Sequence, residues 1–199
     1  MDYMVFNLLE LLDIYGEDTL SDILSDFMCP QNKDVENFIQ TKAISFSQQR
    51  LAMTYLVFAN VEQLEIVGYF TLANKFVSIP GDALSKTLQK RISKFSQYDE
   101  EQERFLVSMP LIAQLGRNFN PSLSTSIPGQ ELLKFAFIKV REAQFIIGGK
   151  TVYIECANNP KLYDFYSAAQ FVQFGQRKRD SDEISESPIL VQMLKYFRE

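Results

Sequence analysis

The segment "NNPKLYDFYSAAQF", residues 158–171, puts a phenol, Tyr166, seven residues after Asn159, and just before it "TVYIECA" sets Glu155 beside Cys156. A phenol and a carboxylate can give or take a proton, and a thiol becomes a nucleophile once ionised. Each has a plainer reading. Asn159 followed by Pro160 is helix N-cap and first-turn chemistry in its own right. Tyr166 is one of many packing aromatics in a chain with 17 Phe and 9 Tyr. Glu155 fits a surface or paired carboxylate, and Cys156 a buried thiol acting as a small apolar side chain. The chain has no histidine, which excludes Ser/His and Cys/His triads and the common histidine-containing metal sites, so no metal is expected. A further cluster, Lys86, Lys90, Arg91 and Lys94, is either a solvated helix face or a contact for an anionic substrate.

The elements that must position these groups belong to a chain of 199 residues with 46% apolar residues, enough for one well-filled core. A single domain over 1–199 is expected, with a helical extension at 1–26, a core at 27–177, and a charged tail with a C-terminal helix at 178–199. Cys29 and Cys156 lie too far apart in too large a chain to suggest a disulfide framework, and read as reduced thiols. No cation precedes Lys33 and no apolar run reaches the length of a membrane span, so a soluble, cytoplasmic, unprocessed protein is expected. The net charge is −5, and the first 32 residues hold seven carboxylates and no cation. A generic grip on nucleic acid, which relies on clustered Lys and Arg, is disfavoured.

Apolar spacing predicts a terminal helix in "YMVFNLLELLDIYG", more helix in "DTLSDILSDF", and a helix in "NKDVENFIQTKAISFSQQ" with acids in its first turn. "AMTYLVF" and "EIVGYFTLANKFVSI" read as adjacent antiparallel strands. "DALSKTLQKRISKF" reads as a helix and "SQYDEEQE" as a surface loop. "RFLVSMPLIAQLGRNF" has the near-continuous apolar run of a central strand. The turn-rich "NPSLSTSIPG" leads into the helix "QELLKFAFIKVREAQFII", then come strand "TVYIECA", the short helix after Asn159, and "FVQFGQR" as the last strand. "RKRDSDEISES" reads as a charged tail and "PILVQMLKYFR" as an amphipathic helix. The strand, helix, strand unit from 105 to 156 calls for a parallel crossover.

In that order, the pieces "NKDVENFIQTKA", "VGYFTLA", "MPLIAQLGRNF", "VYIEC" and "NNPKLYDFYSAAQF" resemble the GNAT family of N-acetyltransferases, in particular its bacterial, toxin-like branch, over roughly residues 27–177. The closing motif of relatives reads Asn, Ala three residues on, Tyr seven residues on, then Gly and Phe. Here Asn159, Leu162, Tyr166, Gln170 and Phe171 stand in those places.

The resemblance implies a mixed α/β GNAT fold: a central, mostly antiparallel sheet with a splayed pair of parallel strands, flanked by helices on both faces. It implies acetyl-coenzyme A (acetyl-CoA) as cosubstrate. The fourth-strand backbone at Arg117, Asn118 and Phe119 would hold the thioester. The loop of Ser124, Thr125, Ser126, Ile127 and Gly129, with Gln130 at the helix start, would hold the pyrophosphate, and Asn159 would touch the pantetheine arm. Relatives carry Q/R-x-x-G-x-G/A in that loop, whereas only the last glycine survives here, and Ile127 and Pro128 replace a flexible glycine and a donor.

By the same resemblance Tyr166 is the acid for the departing thiolate, a phenol of pKa about 10 against a thiol of about 8.5. Glu155 is the candidate base. The implied activity is acetyl transfer to a primary amine on a protein, an aminoacyl-tRNA or a small molecule. The alternative is an inactive GNAT-fold binding or regulatory module. The sequence leaves the acceptor, a protein partner and the oligomeric state open, a homodimer being compatible with it.

Overall fold

In the computed structural model, residues 2–179 and 188–198 are described. The charged segment 180–187, read above as part of a tail, lies outside them. By internal contacts the chain divides into two units, one built on residues 2–73 and 113–139, the other on 74–112, 140–179 and 188–198.

The first unit opens with strand β1 (Tyr3–Asn7) and the helices α1 (Leu8–Tyr15), α2 (Glu17–Ser25), α3 (Lys33–Thr41) and α4 (Ala43–Gln48). Strands β2 (Met53–Asn60) and β3 (Leu64–Pro80) follow as an antiparallel pair, as expected. Two expectations are corrected here. Residues Tyr3–Asn7 are a strand, antiparallel to β2 from Tyr3↔Ala59 to Asn7↔Tyr55, and helix begins only where Asn7 caps the Leu9 N–H. The single helix expected over 32–49 is divided in two at Lys42, whose φ widens to −117° (ψ −28°) between them.

The first unit's core gathers Leu8, Leu20, Leu24, Phe27, Phe38 and Ile39 around Tyr69. Tyr69 is fully buried, stacks on Phe38, meets Phe27 edge-on, and donates its hydroxyl to the Val35 carbonyl at 2.6 Å. The expected apolar face of α3 is confirmed by the burial of Val35, Phe38 and Ile39.

The second unit takes the far end of β3, helix α5 (Lys86–Ile92), strand β4 (Gln97–Asp99) and most of strand β5 (Arg104–Arg117). β4 corrects the loop expected at "SQYDEEQE": it pairs antiparallel with β5 from Gln97↔Leu106 to Asp99↔Arg104. Helix α6 (Gly129–Ile147) runs from one unit into the other, and Gly148 and Gly149 end it with φ of 83° and 94°. These left-handed values are ones glycine adopts without strain. Strand β6 (Thr151–Ala157), helix α7 (Pro160–Ala168), strand β7 (Val172–Lys178) and strand β8 (Ile189–Tyr196) complete the unit.

The expected C-terminal helix is thus a strand. β8 lies between β6 and β7, antiparallel to both, with Leu194 opposite Tyr153 on one side and Val172 on the other. A strand flanked on both edges buries apolar side chains on both faces, which erases the alternation that would mark it.

The sheet has eight strands in the order β1-β2-β3-β5-β6-β8-β7, with β4 on β5. The β1–β2, β2–β3, β4–β5, β6–β8 and β7–β8 ladders are antiparallel, whereas β5 and β6 are parallel at Leu111↔Tyr153 and Ile112↔Ile154, as the crossover through α6 requires. From Ala113 onward β5 belongs to the first unit.

Candidate active site

Six of the residues expected to hold a cofactor line one open, shallow cavity of ≈ 540 Å³ on the surface of the first unit: Arg117, Asn118, Phe119, Ser124, Thr125 and Ser126, joined by Asn120 and Leu123. It lies where β5 ends and the chain turns toward α6. Arg117 is the single charged residue in its lining.

The backbone there is less free than the sequence suggests. The Asn118 N–H donates to the Val67 carbonyl at 2.9 Å and the Phe119 N–H to the Met28 carbonyl at 2.8 Å. Successive N–H groups of an extended strand point to opposite edges, so the Arg117 N–H faces away from the edge that Asn118 uses. Two of the three main-chain donors expected to serve a thioester, those of Asn118 and Phe119, are thus already engaged. The Asn118 side chain, buried, ties three segments together: its Oδ1 accepts from Met28 and Asn120 N–H, and its Nδ2 donates to the Ile66 carbonyl.

The loop leading into α6, which holds a single glycine at Gly129, is pinned. Glu65, buried on β3, accepts the Ser124 N–H with both carboxylate oxygens, at 3.1 and 3.0 Å. Ile127 is fully buried, and the Tyr3 hydroxyl donates to the Ser126 carbonyl at 3.3 Å. Asn120 Oδ1 accepts from the Ser122 N–H and hydroxyl. Pro128 lends its carbonyl to the Glu131 and Leu132 N–H groups as α6 begins. Gly129 and Gln130 form the first residues of that helix. The N-terminus of such a helix is an anion site through its free N–H groups and dipole.

The remaining candidates lie in the second unit. Asn159 is exposed and caps α7, its Oδ1 accepting the Lys161 N–H at 2.9 Å with Pro160 in the first turn, which is the capping expected of it. Tyr166 is buried, set edge-on to Phe165 and Phe171, and its hydroxyl has no hydrogen-bond partner among the described residues. Burial, reinforced by nearby Cys156, pushes the phenol well above its usual range. At Gln170 φ is 68°, a left-handed value that glycine adopts more readily than a residue with a side chain.

Glu155 is engaged on every side. It takes Arg177 Nε and Nη2 at 3.0 and 2.7 Å, Gln192 Nε2 at 3.0 Å and the Tyr153 hydroxyl at 3.3 Å. Burial works to raise its pKa, but the Arg177 and Gln192 hydrogen bonds and the Arg177 charge hold it below the ordinary carboxylate value. A carboxylate in that state is a poor proton acceptor. Burial raises the Cys156 thiol to about 11 and also raises that of Cys29, so neither is a thiolate at neutral pH.

Sequence reasoning missed Glu65 and the structural use of Asn118. A glutamate between Leu64 and Ile66 on a strand reads as solvent-facing, and its loop partner is 59 residues away.

No family model and no curated protein matches the sequence. Solved structures do. AtaT complexed with acetyl-methionyl-tRNAfMet superposes with a TM-score of 0.63 at 20% identity, covering 96% of this chain and 94% of that one. The fold is the GNAT acetyltransferase fold. A tyrosine-to-phenylalanine mutant of KacT gives 0.63 at 18% identity over 97% and 95% of the two chains. A mutant AtaT toxin bound to the C-terminus of the antitoxin AtaR and acetyl-CoA gives 0.60 at 15% over 98% and 94%. The GNAT fold expected from sequence is therefore present, and its parallel pair is β5 with β6. Among the described residues no helix is long and apolar enough to cross a membrane.

Proposed function

We propose that this chain transfers an acetyl group from acetyl-CoA to a primary amine, by direct attack of the amine on the thioester. The observation that carries the reading is the cavity at the end of β5. Its lining of one cation and three hydroxyl-bearing residues coincides with the positions that the family resemblance assigns to the cosubstrate. AtaT structures with acetyl-CoA support it.

Acetyl-CoA, when bound, supplies the activated acyl group and a thiol leaving group. The chain's part is to hold, orient and protonate. The Arg117 N–H serves as a donor, and the pinned loop and the start of α6 offer hydroxyls and the positive end of the helix dipole to a phosphate. Tyr166 is assigned the acid: burial keeps the phenol protonated at neutral pH, and because the same burial makes it a weaker donor than a free phenol, it gives up its proton only as charge builds on the departing sulfur. Glu155 is assigned the role of fastening β6 to β7 and β8 through Arg177 and Gln192, not that of a base.

The acceptor to assay first is an aminoacyl-tRNA, since one neighbour was captured with an acetylated one. The exposed Lys86, Lys90 and Lys94 on and just beyond α5, with no carboxylate in residues 85–96, support an anionic acceptor. Arg91 adds less, because its guanidinium lies over the Tyr196 ring at 5.1 Å.

A second reading has its own support. Glu65 already takes the Ser124 N–H, and the loop lacks the glycines that bring backbone to phosphate, as in a binding module that no longer uses the cosubstrate. Thiol release from acetyl-CoA, followed in the presence of charged tRNA or simple amines, separates the two. Acceptor-dependent release is expected, and Tyr166→Phe should slow it by about 10²- to 10⁴-fold while leaving acetyl-CoA affinity unchanged. A chain that binds acetyl-CoA yet releases no thiol with any acceptor would favour the binding module.

A further inference from the structure

Among the described residues, Arg117 Nε is the one buried side-chain nitrogen or oxygen without a hydrogen-bond partner. The guanidinium also has no ion pair among them. It lies over the Phe119 ring at 5.0 Å and lines the cavity with Ser124, Thr125 and Ser126. Buried donors are almost always satisfied, and an unpaired one on an arginine beside a polar cavity calls for an acceptor.

The cation is not there to neutralise the protein itself. Glu65, the carboxylate of the neighbouring loop contact, spends both oxygens on the Ser124 N–H. The stack on Phe119 fixes the guanidinium plane in advance, which lowers the ordering cost of a fork-shaped contact.

We propose that the Arg117 side chain, beyond its main-chain position on β5, binds a phosphate of the cosubstrate and replaces the grip that the lost glycines would have given. This rests on the acetyl-CoA reading above. An arginine fork meets two phosphate oxygens at once. The cavity's hydroxyls add neutral donors around it.

Calorimetric titration of CoA, dephospho-CoA and pantetheine into the wild type and two variants tests this. Arg117→Met keeps the apolar stem over Phe119 and removes the charge; Arg117→Lys keeps the charge and loses the fork. Arg117→Met should weaken CoA by about 10- to 100-fold, the range of a charge-assisted contact, and leave pantetheine, which has no phosphate, unchanged. Arg117→Lys should recover part of the loss. Equal loss for dephospho-CoA would assign the contact to the pyrophosphate, and loss confined to CoA to the 3′-phosphate; either supports the proposal. Unchanged CoA affinity in Arg117→Met, or an equal loss for pantetheine, overturns it while the cosubstrate reading stands. A wild type that binds none of the three overturns both. Unfolding curves of each variant, matched to wild type, confirm that the loss is local.

Discussion

Glu65 and Glu155 are both acidic, mostly buried and placed by strands, yet their partners give them different work. Glu65 meets a backbone N–H of the loop, so it should act on cosubstrate affinity. Glu65→Ala frees Ser124 and should weaken acetyl-CoA by about 5- to 10-fold, whereas Glu65→Gln keeps an acceptor and should retain most of the affinity, measured by titration. If instead both variants bind more tightly, the carboxylate opposes the anionic ligand and does not position the loop. Glu155 meets Arg177, so it should act on stability. Its pKa is lowered in the folded chain, so its contribution is present above the ordinary carboxylate value of 4.5 and is lost as pH falls through the depressed value. Arg177→Ala should cost roughly 2 kcal/mol at pH 7, less than a wholly buried pair because Arg177 is 28% exposed. The difference between variant and wild type in urea unfolding should persist down to about pH 5 and shrink in stronger acid. A difference of the same size at pH 3 would mean that the ion pair is not its source.

At the scale of elements, the end of β5 governs the site, and Gly116 shows how tightly it is set. A Cβ there would come within 2.5 Å of Val35 Cγ1 and 2.7 Å of Tyr69 Cε1, and Tyr69 is fully buried. Gly116→Ala should destabilise the fold by about 1–3 kcal/mol in urea unfolding and disturb acetyl-CoA binding next door at Arg117. An unchanged midpoint would mean that α3 and β5 are packed less closely. The elements legible in the sequence are those with a local signature. Helix α7 was announced by Asn159-Pro160, α6 by its apolar run between a turn and two glycines, and the β2–β3 pair by two β-rich runs. β1 and β8 were misread because short apolar segments satisfy helical and extended spacing alike. Their true partners, β2 for one and β6 with β7 for the other, are distant in sequence, and no local pattern encodes them. Of the proposed site, the sequence marks residues 117–119 and 124–126, which line one pocket because they are neighbours along the chain at the end of β5. The site was not legible where a buried side chain, such as Glu65 or Asn118, answers a partner dozens of residues away.

For the whole molecule, the proposed reading needs the tethered loop before α6 to present an anion site in a GNAT fold without a run of glycines, its tethers holding it in the binding shape. Tethering lowers the ordering cost of binding, and the unpaired Arg117 supplies charge that the backbone no longer does. The acidic N-terminal helices and the lysine-bearing α5 give the chain an uneven charge, with which a nucleic-acid acceptor would have to comply. The most direct test is the melting temperature of the purified protein with and without millimolar acetyl-CoA. At 100 times its dissociation constant the ligand should add about 2.7 kcal/mol, a rise of several degrees for a chain of this size. An unchanged melting temperature would contradict acetyl-CoA as the occupant of the cavity at the end of β5.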